Sequence, residues 1–351
     1  MSTFEHRGTR RVLRIFNEVP ERVVKFTRSE PAQLIFPDGS SCTSSCIGCA
    51  DEPCRILTTD ERTIDSVNAF AGDSSSAVCP MKAITWNPRL EAPKIDPTVC
   101  IGCGICVSRC PVGAISVRDN VAMVSATEPT NADSRLSTVS FSSGQVQQRK
   151  QVAIIPRYEL QEPILDDVEV FRVTTALSKT SDVIQNTAVR SVLVAAGCSV
   201  SLSRKGDVHT RMDGTYSTLD GVRGSLEVEF GLDSLEAVRA SLDDVAVLNS
   251  RYHLPKSEQT PLVVCGELPR ERQGYWQVVR DIYRVLDIKV RTATVGSLLL
   301  LVWNGKSLTT AILDELTPHF ESTSIREHIE AALGRPVTVP QGLGGILEPE
   351  K

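Results

Sequence analysis

The sequence predicts a small cysteine-rich α+β unit followed by a larger α/β domain, a mixed sheet flanked by helices. Three observations predict it. The chain has 351 residues, too many for one comfortable core, so two domains are expected. Nine of its 11 cysteines fall between Cys42 and Cys110. Beyond Val152, helical stripes interleave with short Val- and Leu-rich runs, the texture of an α/β domain.

The bulk numbers narrow the class. Hydrophobic residues make up 41% and charged residues 23%, ordinary values for a globular protein. A formal charge of −5 argues against a globally basic nucleic-acid binder and leaves room for a local basic face. The start, "RGTRRVLRIF", has no signal-peptide core, and the longest apolar run, Leu298–Trp303, is far short of the ~20 residues that span a bilayer. The expected location is cytoplasmic, with no membrane partner. Clustered cysteines without a secretory signal favour metal ligation over disulfides.

Taken in order, residues 1–41 read as an N-terminal arm, with Arg7, Arg10, Arg11 and Arg14 on one helix face, solvated or turned to phosphate. Residues 42–126 hold the cysteine block, and 127–151, rich in Ser, Thr, Asn and Gln, form a polar linker. In the α/β domain, 152–351, Ile184, Ala188, Val192 and Ala195 form a helical stripe ended by Gly197. "CSVSLS" and the alternating "GSLEVEF" read as strands. Leu235, Val238, Leu242 and Val245 mark a second helix, capped by Asp233 or Ser234. "PLVVCG" reads as a buried strand, Trp276, Val279, Tyr283 and Leu286 as a third helix, "VGSLLLLVW" as another buried strand, and Ser324–Leu333 as a last helix.

Cys100, Cys103 and Cys106 stand at C-x₂-C-x₂-C, a spacing that wraps three corners of an iron–sulfur cube. Gly102 and Gly104 let the backbone bend close, so that amide N–H groups turn toward sulfur. Cys110, followed by Pro111, is too distant to complete the same cube. "CIGC" recurs at Cys46–Cys49, and "CPMKAI" at 79–84 mirrors "CPVGAI" at 110–115. This repeat resembles the bacterial two-[4Fe–4S] ferredoxin family, which implies an α+β ferredoxin-like dicluster domain with two [4Fe–4S] clusters. The resemblance gives one cluster Cys100, Cys103, Cys106 and Cys79, and the other Cys46, Cys49, Cys54 and Cys110. Cys42 is an alternative third ligand, because four residues separate Cys49 from Cys54 where the family has two. Zinc is the rival, but the two Cys-Pro elements have no use in it. "CTSSCIGC" also resembles the radical S-adenosylmethionine signature, although a ferredoxin half follows it at once.

In the second domain, "RMDGTYSTLDGVRGSLEVEFG" (211–231) offers Asp213, Asp220, Glu227 and Glu229. Glu227 and Glu229 share a strand face, and a neighbouring aspartate makes the kind of oxygen set that Mg²⁺ takes. Within its frame of helices and strands this stretch resembles the PD-(D/E)XK, restriction-endonuclease-like superfamily. The resemblance implies a Mg²⁺-dependent DNA nuclease of restriction or defence type. Asp220 (or Asp213) and Glu227 would then be metal ligands, with Glu229 in the place of the usual lysine as a third catalytic residue. Leu219 stands where that family often has proline, and the lysine is missing. The alternative is a ferredoxin-type electron-transfer protein whose α/β domain docks a redox partner; a homodimer is compatible with either. Cys198 and Cys265 read as inert core thiols, "GLGG" at 342–345 as a flexible turn, and Arg270, Arg272 and Arg280 as a solvated helix face.

Overall fold

The computed structural model describes residues 79–87, 92–109, 115–124 and 160–350, the last with gaps at 161, 203–211, 219, 232–233, 253, 273 and 317–322. The arm 1–41, Cys42, Cys46, Cys49, Cys54, Cys110 and the linker 127–151 lie outside the described residues.

The cysteine-rich unit is two hairpins around a short helix. Strands β1 (Ile84–Asn87) and β2 (Ala92–Ile95) pair antiparallel, as do β3 (Ile115–Arg118) and β4 (Val121–Val124), with α1 (Ile105–Arg109) between them. The second hairpin closes through Asp119 and Asn120, whose φ values of 49° and 63° are left-handed. A two-residue turn of that hand matches the twist of the strands it joins. Its tip packs onto the cysteine loop so closely that a Cβ on Gly102 would lie 2.3 Å from the Asn120 carbonyl oxygen. Only glycine fits there.

Helices α2 (Glu169–Ser178) and α3 (Asp182–Ala195) lead into a five-stranded sheet. Its strands β5 (Ser199–Leu202), β6 (Gly214–Ser217), β7 (Arg223–Glu229), β8 (Leu262–Cys265) and β9 (Arg291–Thr294) lie side by side in chain order. The first two pairings are antiparallel and the last two parallel. Parallel neighbours need crossovers, and α4 (Ser234–Tyr252) and α5 (Gly274–Leu286) supply them. Helix α3 packs on β5 and β7, and α4 on β7 and β8. The expected strands "CSVSLS", "GSLEVEF" and "PLVVCG" and the three striped helices are all present. Cys198 and Cys265 are buried in the core.

One expectation fails. "VGSLLLLVW" is not a strand but helix α6 (Val295–Trp303), which continues directly from β9. A capping box decides the change of state. The Thr294 hydroxyl accepts from the Ser297 N–H, and the Ser297 hydroxyl accepts from the Thr294 N–H. Every residue of α6 is buried, so its sequence carries no helical period to betray it. Helices α7 (Thr310–Glu315) and α8 (Arg326–Leu333) complete the fold, and α6 packs against α2, α3, α8 and α1.

A carboxylate staples three of these elements together. Asp167, just ahead of α2, accepts two hydrogen bonds from Arg335 (2.7 and 2.8 Å) and one from the Thr338 N–H. Arg335 follows the left-handed Gly334 that ends α8, and it also donates to Asn304 beyond α6. Burial pushes Asp167 upward, but the Arg335 and Thr338 hydrogen bonds outweigh it and hold the carboxyl below its ordinary 3.8. A lowered folded value means stabilisation that is complete above that ordinary value and is lost as pH falls through the folded one. Arg335→Ala is expected to cost about 1–3 kcal/mol in urea unfolding at neutral pH. It should also flatten the acid limb of the stability profile; an unchanged limb would show that the staple contributes nothing.

Candidate functional site

The cysteine loop is built by local backbone chemistry. Asp96 caps the turn ahead of it, with its carboxylate accepting from the Thr98 N–H at 2.9 Å, while its carbonyl accepts from the Cys100 N–H at 3.0 Å. Gly102 and Gly104 take φ of 60° and 76°, the left-handed bends expected of them. Helix α1 begins one residue before Cys106, so that thiol sits in its first turn. The Cys100 sulfur accepts from the Gly102 N–H (3.4 Å) and from the Ala122 N–H of β4 (3.3 Å). The Cys79 sulfur accepts from the Ala83 N–H at 3.3 Å. Amide donors on sulfur favour its anionic form.

Cys79 lies about twenty residues upstream of this loop, yet its thiol is a near neighbour of Cys100 and Cys103 in the electrostatics of the site. Burial pushes the Cys103 thiol up to about 12, and the nearby Cys79 and Cys100 add to the rise. Burial likewise raises Cys79, against the hydrogen bonds from Ala83 and Met81. Thiols gathered, desolvated and supplied with N–H donors suit thiolates only if a cation offsets their charge. That donor set fits an iron–sulfur cluster, with Cys79, Cys100, Cys103 and Cys106 as the side chains able to hold it.

The comparisons agree with this chemistry. Residues 93–116 match the 4Fe-4S binding domain family. The chain is also similar to an uncharacterised ferredoxin of Methanocaldococcus jannaschii, 34% identical over 65 residues. That match covers 17% of this chain and 42% of the relative, so the chain spans less than half of the relative's length. No solved structure matches the chain. The cysteine-rich unit is therefore iron–sulfur and ferredoxin-like, and among the described residues no helix is long and apolar enough to cross a membrane.

The acidic residues follow the Asp213 alternative rather than Asp220. Asp220 is not beside Glu227. The register of β6 on β7, with Gly214 opposite Leu226 and Ser217 opposite Arg223, puts Asp220 at the tip of their hairpin. There its carboxylate accepts from the Thr218 hydroxyl (2.5 Å) and from the Thr310 N–H at the start of α7 (2.7 Å). The same register brings Asp213, one residue before β6, across from Glu227. The Asp213 N–H donates to Glu227 Oε1 (3.2 Å), and the Asp213 carboxylate accepts from the Val228 N–H (2.9 Å) and the Asn186 amide (3.1 Å). Glu229 turns back to the Gly231 N–H. Asp244 of α4, absent from the sequence-based set, is buried beside Glu227. It occupies a core-facing position on the stripe of Ala237, Ser241 and Leu248, and a charged residue there is the signal that was available.

Burial comes first in raising Glu227, followed by the negative Asp244 and Asp213; burial also raises Asp244. Two desolvated carboxyls in contact hold a proton between them at neutral pH. Among the described residues no three His, Cys, Asp or Glu side chains converge closely enough to chelate a single ion. Of the expected set, Asp213 lies beside Glu227, whereas Asp220 sits apart at the hairpin tip. A raised carboxyl stabilises the fold below the ordinary 4.5 of a glutamate, and that stabilisation is lost as pH rises through the higher folded value. Glu227→Gln is accordingly expected to weaken the decline of thermal stability between neutral and alkaline pH. A decline as steep as in the parent chain would contradict the shared proton.

Proposed function

We propose that the chain is a ferredoxin-type electron-transfer protein whose α/β domain docks a redox partner. The observation that carries this is the gathering of the distant Cys79 with Cys100 and Cys103 under converging N–H donors. Cys79, Cys100, Cys103 and Cys106 hold one [4Fe–4S] cluster in this reading. Cys110 joins Cys46, Cys49 and Cys54 (or Cys42) on a second. A bound cluster supplies one-electron chemistry. The protein's part is to keep the thiols deprotonated, to exclude water from the buried Cys103 and Cys106, and to place N–H dipoles against the extra negative charge of the reduced state. The cofactor count is proposed from the duplicated cysteine pattern. The partner protein and a cytoplasmic location are proposed from the cluster chemistry and the sequence.

Anaerobic reconstitution tests the reading. The parent chain is expected to bind about eight iron and eight sulfide, with absorption that bleaches reversibly on reduction. Cys103→Ser with Cys79→Ser should halve the iron. Full iron retention in that double variant, or clusters that collapse on reduction, would count against it.

One observation favours a second reading, in which the α/β domain hydrolyses DNA with Mg²⁺. Asp213 stands beside Glu227 within a frame of helix, three strands, helix and strand. Asp213 thereby replaces Asp220 as the partner of Glu227. Mg²⁺-dependent cleavage of plasmid DNA that disappears in Asp213→Ala would favour it. The absence of cleavage would leave the carboxyl cluster as a feature of the core.

A further inference from the structure

The cysteine loop is held from outside by the α/β domain at two backbone carbonyls. Arg172 of α2 donates from Nη1 to the Ile101 carbonyl at 2.7 Å. Trp303, the last residue of α6 and fully buried, donates its indole N–H to the Cys103 carbonyl at 2.9 Å. The Trp303 carbonyl in turn accepts from the Ile164 N–H, and Ile164 and the Trp303 ring press on Gly104. A Cβ at Gly104 would lie 2.8 Å from Ile164, so the fit depends on glycine.

A peptide unit is planar and trans, so its carbonyl and its N–H point in opposite directions. The unit whose carbonyl Arg172 holds is the one whose N–H, on Gly102, donates to the Cys100 sulfur. Arg172 therefore aims and polarises a donor to a cluster thiol. Trp303 holds the carbonyl of the unit joining Cys103 to Gly104 and so fixes the plane of that peptide within the loop. Arg172 also pairs with Glu169 at 2.6 Å, while its buried Nη2 has no partner among the described residues.

We infer that Arg172 and Trp303 are positioning residues of the iron–sulfur site, fixing the orientation of the 100–106 loop and tuning the stability and midpoint potential of its cluster. This rests on the reading of Cys79, Cys100, Cys103 and Cys106 as cluster ligands. A cation behind the loop favours the state carrying the extra electron, and a carbonyl left unpaired in the core favours loss of the loop's conformation.

The test uses the full chain, reconstituted anaerobically, with iron content, release of iron to a ferrous chelator and potentiometric titration as readouts. Arg172→Gln is expected to load iron fully but to lower the midpoint potential, and Arg172→Lys, which keeps the charge, to recover toward the parent value. Trp303→Phe retains a ring but no donor, and should release iron about ten- to a hundredfold faster. Should Trp303→Phe fail to fold, the Arg172 pair alone decides. Loaded variants with parental potential and release rate would overturn this inference while leaving the ligand assignment intact. A parent chain that loads no cluster would overturn both.

Discussion

The hydrogen bond from the Trp303 indole to the Cys103 carbonyl joins the two parts of the molecule at the place where each is most constrained. On one side is a cysteine loop with two left-handed glycines and no slack against the Asn120 turn. On the other is the end of α6, a helix buried along its whole length. A buried indole N–H needs an acceptor and a buried carbonyl needs a donor, so neither side is satisfied without the other. The cysteine-rich unit is thus not a tethered appendage. It is seated on α6 and α3, and Arg172 of α2 holds its loop.

Buried negative charge is handled in two contrasting ways. At the cysteines, N–H groups of Gly102, Ala122 and Ala83 point at sulfur, an arrangement that anticipates a cation-bearing group. At the sheet, Glu227 and Asp244 are buried against each other with Asp213 close by, and protons relieve the repulsion. Burial raises both sets; at Cys79 the next largest effects are N–H donors that oppose the rise, and at Glu227 they are negative neighbours that add to it. That difference is the physical reason for placing the chemistry at the cysteine loop rather than at the acidic strand.

The parts of the fold legible in the sequence were those with a period or a punctuation mark. The stripes of α3, α4 and α5 and the alternation of β7 are of this kind, as are the paired glycines of the cysteine loop. Helix α6 reads as a strand because uniform burial erases the 3.6-residue period, and only the Thr294–Ser297 box marks it as a helix. No sequence expectation covers helix α2 or Arg172. Strand register is invisible without the hairpin: the β6–β7 pairing alone decides that Asp213 faces Glu227 and Asp220 sits at the tip. Trp303 looked like core and is core; its second role depends on a loop two hundred residues away.

The central claim is that the cluster loop and the α/β domain form one cooperative unit. Amide hydrogen exchange of the chain with and without its iron–sulfur centre tests this most directly. The account predicts that loading slows exchange not only in the 100–106 loop but also along α6 and the facing turns of α2. Protection confined to the cysteine-rich unit, with α6 exchanging at the same rate in both states, would contradict it.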